Sequence, residues 1–147
     1  MQKKLTGWLI LLIVILGPLQ LGGAARSLGS VRDSFRPYFA SYPSLSLAIM
    51  VYQLLICASV ALWVYTAWVL FRREPGTLGT AQATFASGAV LRITGSFSVI
   101  AFGGLPPDVK SEMVERIVPV AALSVLMCTA WYIYLIRSER VREIYAA

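Results

Sequence analysis

The sequence predicts an all-α fold: one integral membrane domain over residues 1–147, built as a bundle of four transmembrane helices. Three observations carry this. The chain is 58% hydrophobic and 14% charged, whereas soluble domains hold about 45–50% apolar and about 25% charged residues. Its charges are gathered into short segments that separate four apolar runs. Each run has the roughly 20 residues that a helix needs to cross a hydrocarbon core of about 30 Å.

The first run, 5–25, has 21 residues and no charge. Its "MQKK" start and "GGAARS" end have the layout of a secretory signal peptide, but the apolar stretch is longer than a typical signal core. Pro18 and Gln20 also interrupt it where a cleavable signal would end, so a retained span is expected. In the segment that follows, Val31, Phe35 and Phe39 recur at i, i+4 and i+8 beside Arg32 and Arg36. That spacing suits a short interfacial helix over about 30–40, with an ordered loop as the competing reading. The second run, 45–71, has 27 residues without a charge and is long enough to tilt or project. "RREPGTLGT" is a turn-rich connection to the third run, 81–105, whose only charge is Arg92. In the next connection Asp108 is placed to cap a brief helix that leads into the fourth run, 117–136. A short cytoplasmic tail, 137–147, closes the chain.

The charge balance of +6 comes mostly from residues flanking the apolar runs. It is therefore read as membrane topology, with the lipid bilayer as partner and no nucleic acid. Seven Lys/Arg residues (Lys3, Lys4, Arg72, Arg73, Arg137, Arg140, Arg142) fall on the side of the termini, and five (Arg26, Arg32, Arg36, Lys110, Arg116) on the other. The bias places both termini in the cytoplasm, with the protein in the bacterial inner (plasma) membrane. The chain has no histidine, and its two cysteines, Cys57 and Cys128, sit mid-run without metal-ligand spacing. No metal and no cofactor is expected, and no acid/base pair for catalysis.

Arg92 is the charge that needs an account. At mid-run it costs about 2.5–3.5 kcal/mol on insertion scales. Sliding the helix to expose it would leave only 93–105, too short to span. Small residues share its helix face, among them Gly88, Gly95, Ser96 and Gly103, so a neighbouring helix can approach closely. Its partners are open at this point. Pro18 cannot donate to the carbonyl of Val14, which leaves that carbonyl as one acceptor. Gln20, Tyr52 and Gln53 are others, and an anionic ligand between helices is the functional alternative.

The C-terminal end reads "WYIYLIRSERVREIY". Trp131, Tyr132 and Tyr134 suit a headgroup-level aromatic belt, and Arg137, Arg140 and Arg142 suit anionic headgroups. Arg137, Arg140 and Glu143 are spaced to pair along a continuing helix. The sharper reading makes Ser138, Arg140 and Arg142 a cytoplasmic docking surface. This ending resembles the closing signature of the bacterial family of small four-helix membrane proteins known as domain of unknown function 2569. There, an aromatic helix end runs into Ser-x-Arg-Val-basic and then an aromatic, here Trp131, Tyr134, Ser138, Arg140, Val141, Arg142 and Tyr145. "GWL" with a later "GPL" (Gly7 to Leu9, Gly17 to Leu19) and "FRREP" (Phe71 to Pro75) are similar to the family's earlier motifs, in order. Ile133, Glu139 and Ile144 depart from its pattern and mark a divergent member. The resemblance implies four spans with the first retained, and no activity.

The functional expectation is a non-enzymatic accessory or interaction protein. It would associate with itself, as a homo-oligomer, or with a larger membrane protein through faces such as that around Gly88 and Gly95. The alternative is a small binding or transport protein for an anionic amphiphile or lipid headgroup, anchored by Arg92.

Overall fold

The computed structural model describes residues 7–102 and 104–145, helical almost throughout and with no strand among them. Lys3 and Lys4 of the charge count, residues 5 and 6 of the first run, Gly103 of the small-residue stripe and residues 146 and 147 of the tail lie outside the described residues. Four helices are long and apolar enough to cross a membrane: α1 (Gly7–Tyr38), α2 (Pro43–Arg72), α3 (Leu78–Phe102) and α4 (Pro107–Arg137). Mean hydropathy is lowest, 1.3, in α3, which carries Arg92 among threonines and glycines. A fifth, short helix, α5 (Glu139–Tyr145), ends the described chain.

α1 differs from expectation. Its first turns, Gly7–Val14, pass through a π-helical turn at Ile15–Leu19 that contains Pro18. Proline has no N–H for the carbonyl four residues back, and its ring crowds that carbonyl. A wider turn bonded five residues back lets the helix continue. The backbone itself thus answers Pro18. The helix then runs on through Gln20–Phe35 and closes in a 3-10 turn at Arg36–Tyr38. The interfacial helix expected over 30–40 is therefore the outer part of α1 and not a separate element. Glycines at 22, 23 and 29 each weaken a helix by about 1 kcal/mol. Tertiary ties offset this: Gln53 of α2 donates to the Leu28 carbonyl at 3.1 Å, and Phe35 packs on the Leu45 cluster.

α2 starts with Pro43 in its first turn, where a missing N–H costs nothing. It ends at Arg73, held in the left-handed region at φ 55°. At the other end, Pro106 and Pro107 open α4, and Asp108 lies in its first turn without being the cap. The expected short helix and the fourth span are one 31-residue helix, since Pro119 lies inside it without ending it. At 31 residues it is about 45 Å long, more than the core thickness, so it tilts or projects.

α2 and α3 form the central antiparallel pair, α1 leans on α2, and α4 packs on α3. Gly17, of the "GPL" stretch, sets α1 close to α2, with the place of its missing Cβ 3.8 Å from Ala67 Cβ. The main core lies at the end where the chain begins and finishes. It joins Leu9, Leu12, Trp63, Leu70, Phe85, Leu135, Val141 and Tyr145 from all five helices. A smaller cluster of Leu45, Ile49 and Val99 lies at the opposite end.

Candidate functional site

Two constellations gather the residues that the sequence singles out, one at mid-depth and one at the tail. At mid-depth, α3 meets α2 through glycine. The indole of Trp63 donates to the Phe85 carbonyl at 3.1 Å and stacks near the Phe85 ring, centroids 6.0 Å apart. It lies where a Cβ on Gly88 would stand, so any side chain there collides with Trp63. One level on, a Cβ at Gly95 would meet Leu55 Cβ at 3.2 Å. The small-residue face of α3 is thus filled by α2 of the same chain. Helix pairing within the chain therefore uses the face around Gly88 and Gly95.

Arg92 lies between these two glycines. It donates to Gln20 Oε1 at 2.7 Å, and its guanidinium carbon stands 5.2 Å from the Trp63 ring centre. The side chain therefore reaches back toward the Gly88 level, as helical side chains do. It ties α3 to α1 and α2, and Tyr52 and Cys128 lie within its electrostatic reach. Ser96 donates to the carbonyl of Arg92, one turn earlier, at 3.0 Å. Pro18 and Gln53 do not join Arg92. Pro18 is exposed within the π-turn, and Gln53 is spent on Leu28. Of the acceptors the sequence offers, Gln20 is the one used. Trp63 is the member sequence reasoning missed. An aromatic in an apolar run gives no sign of whether it faces lipid, a helix or a cation.

The second constellation is the tail. α4 does not continue into the tail as one helix. The chain turns at Ser138 (ψ 111°). Ser138 Oγ accepts the N–H of Val141 at 3.4 Å and so caps α5. α5 folds back under the α2–α3 connection. Val141 and Tyr145 are buried, the Tyr145 hydroxyl donates to the Leu70 carbonyl, and the Tyr145 carbonyl accepts the Gly76 N–H at 3.1 Å. Gly76 adopts φ 77°, which a glycine takes without strain. Gln82 adds a bond from α3 to the Leu135 carbonyl at 3.3 Å. Burial pushes the Tyr145 phenol up to about 12, with Arg73 opposing and Tyr134 adding to the shift.

The tail residues accordingly divide. Trp131 and Tyr134 are half-buried against the main core, with Trp131 6.2 Å from Trp8 and 5.8 Å from Tyr134 between ring centres. Both rings serve inter-helix packing, while Tyr132 of the expected belt stays exposed. Ser138 is a helix cap. Arg140 and Arg142 alone of the proposed docking residues are exposed. The closing signature, Ser-x-Arg-Val-basic then aromatic, therefore reads physically as cap, surface, core, surface and anchor. "FRREP" is the connection that this anchor holds.

Among the described residues there is no cluster of three or more Cys, Asp or Glu that could hold a metal. No curated protein and no solved structure matches the chain. The model of a family described as a protein of unknown function, DUF2569, matches residues 2–146. That is the family whose order of motifs runs from Trp8 to the anchoring Tyr145, and the chain belongs to it.

Proposed function

We propose that this is a non-enzymatic binding protein of the bacterial plasma membrane, with cytoplasmic termini, that takes the charged group of an anionic amphiphile at Arg92. The supporting observation is an unbalanced charge. A guanidinium has five N–H donors. One goes to Gln20 and one ring face to Trp63, and no carboxylate pairs with Arg92 among the described residues. A cation held at mid-depth by neutral groups costs free energy that an arriving anion offsets. Catalysis has no such support: the sequence has no histidine, and none of its seven acids falls in the four apolar runs.

The test is native mass spectrometry of the protein released from lipid nanodiscs, beside Arg92→Gln and Arg92→Lys. One anionic species per chain is expected, lost with Gln and weakened with Lys, whose point charge cannot fork onto two oxygens. Equal retention by Arg92→Gln, or no anionic species on the natural chain, rejects the reading.

A second reading, an accessory protein bound to another copy or a larger membrane protein, is favoured by α4. That helix packs on α3 along one side and leaves Leu123, Leu126 and Met127 exposed. Crosslinking from Leu126 in intact membranes separates the two. A specific protein adduct supports association, and lipid adducts alone count against it.

A further inference from the structure

The end of the bundle away from the termini is not filled. A cavity of about 450 Å³ lies between the outer part of α1, α2, α3 and the first turns of α4. It is separate from Arg92. Ser96 lines it, whereas the arginine side chain leaves from one turn earlier and leans the other way, over Trp63.

We propose that this cavity is a binding site for one acyl chain of a membrane lipid, from the leaflet opposite the termini. Its walls are apolar, chiefly Val31, Phe35, Val99, Val109, Met113 and Ile117. Both serine hydroxyls of the wall are spent. Ser96 donates to the Arg92 carbonyl at 3.0 Å, and Ser34 to the Ser30 carbonyl at 2.8 Å. Water needs two to four polar partners to stay in a cavity, and apolar cavities remain dry and take apolar guests. An empty apolar cavity weakens a fold in proportion to its volume, and this volume lies within the range of small-molecule sites. Tyr52, Ser96, Val99 and Ile117 of the lining belong to the apolar runs and the other lining residues to the segments beside them, so the site stands at the edge of the apolar runs, where lipid chains are the apolar material at hand. Polarity changes along the site in the matching sense. Val99 is the most buried residue of the wall, and Tyr52 is half-buried, its hydroxyl without a hydrogen-bond partner among the described residues. The rim carries exposed Tyr38 and Glu112, groups suited to the headgroup level. A chain inside with its ester and head at the rim fits that gradient. A free anion does not, because the charged residue of the lining is an acid.

The test uses the full chain in nanodiscs of phosphatidylethanolamine and phosphatidylglycerol, followed by detergent washing and native mass spectrometry. Beyond any species held at Arg92, one lipid per chain is expected to survive washing on the natural protein. It should be lost when Val99→Phe or Met113→Trp fills the cavity from α3 or from α4, with no fall in melting temperature. The two substitutions come from different helices, so misfolding of one leaves the other to decide. Arg92→Gln should keep this lipid, which distinguishes a failure here from a failure of the Arg92 reading. Equal retention of lipid by a folded, filled variant overturns the proposal, as does a natural chain that emerges with none.

Discussion

The two ends of the bundle are packed by opposite rules. At the end with the termini, five helices contribute to one continuous core, and the chain's last described turn is bonded to the connection between α2 and α3. At the other end, three buried residues, Leu45, Ile49 and Val99, and a group of half-buried aromatics border a cavity. Both ends are made of similar apolar residues. The difference is that the first end has an extra element, α5, to fill its base, and the second has none. Stability concentrates where the chain closes on itself, and space for a guest remains where it does not.

The sharpest way to break this contrast is at Gly88, where the closed end begins. Gly88→Ile should drive the Trp63 indole off α3 and separate the central pair. The cost falls at or above the upper end of the about 1–3 kcal/mol typical of overpacking, read as a large fall in melting temperature in detergent. Gly79→Ala, where nothing lies within 4 Å of the added Cβ, is the matched control and should be neutral or slightly stabilising.

Tyr145→Phe comes next. It removes the hydroxyl bond to the Leu70 carbonyl and leaves a buried acceptor unpaired. A loss of about 1–2 kcal/mol is expected, with faster tryptic cleavage at Arg140 and Arg142 as the tail frees. Cleavage at the opposite end should not change.

Alkali probes the same contact without mutation. The Tyr145 phenol titrates higher when docked, up to about 12, than the ordinary 10.0. The docked state therefore favours the neutral phenol. Its contribution is intact below pH 10 and falls away as pH rises through 12. Tail cleavage should accelerate across that window in the natural protein, whereas Tyr145→Phe should lack that pH-dependent step.

The smallest effect has the opposite sign. Ser59 is fully buried on α2, and its hydroxyl finds no partner among the described residues. Ser59→Ala should remove that desolvation penalty and raise stability by up to about 1 kcal/mol, visible as a small upward shift in melting temperature. A fall would show that the hydroxyl is bonded after all.

Much of this was legible in the sequence, residue by residue. The apolar runs locate four spans because the cost of placing a side chain in hydrocarbon is a local property that adds along the chain. Arg92 reads as inward-facing for the same reason. Where the reading fails, the missing information is which surface meets which. "SVRDSFRPYF" has the pattern of an interfacial helix and is the end of α1, because contacts from α2 hold it in line. "WYIYLIRSERVREIY" has the pattern of a belt followed by anchors. Aromatics and arginines in that order fit a membrane surface as well as they fit a folded-back tail.

The sequence by itself thus determined the class, the number of spans and the face that Arg92 must seek. Only the tertiary structure decided that Gln20 and Trp63 receive it, that α2 fills the glycine face, and that Tyr145 seals one end while the other stays open. The physical reason is a difference of range. Transfer into a membrane is summed over single residues, whereas hydrogen bonds, glycine contacts and cavities exist only between segments, and depend on distances that no linear pattern contains.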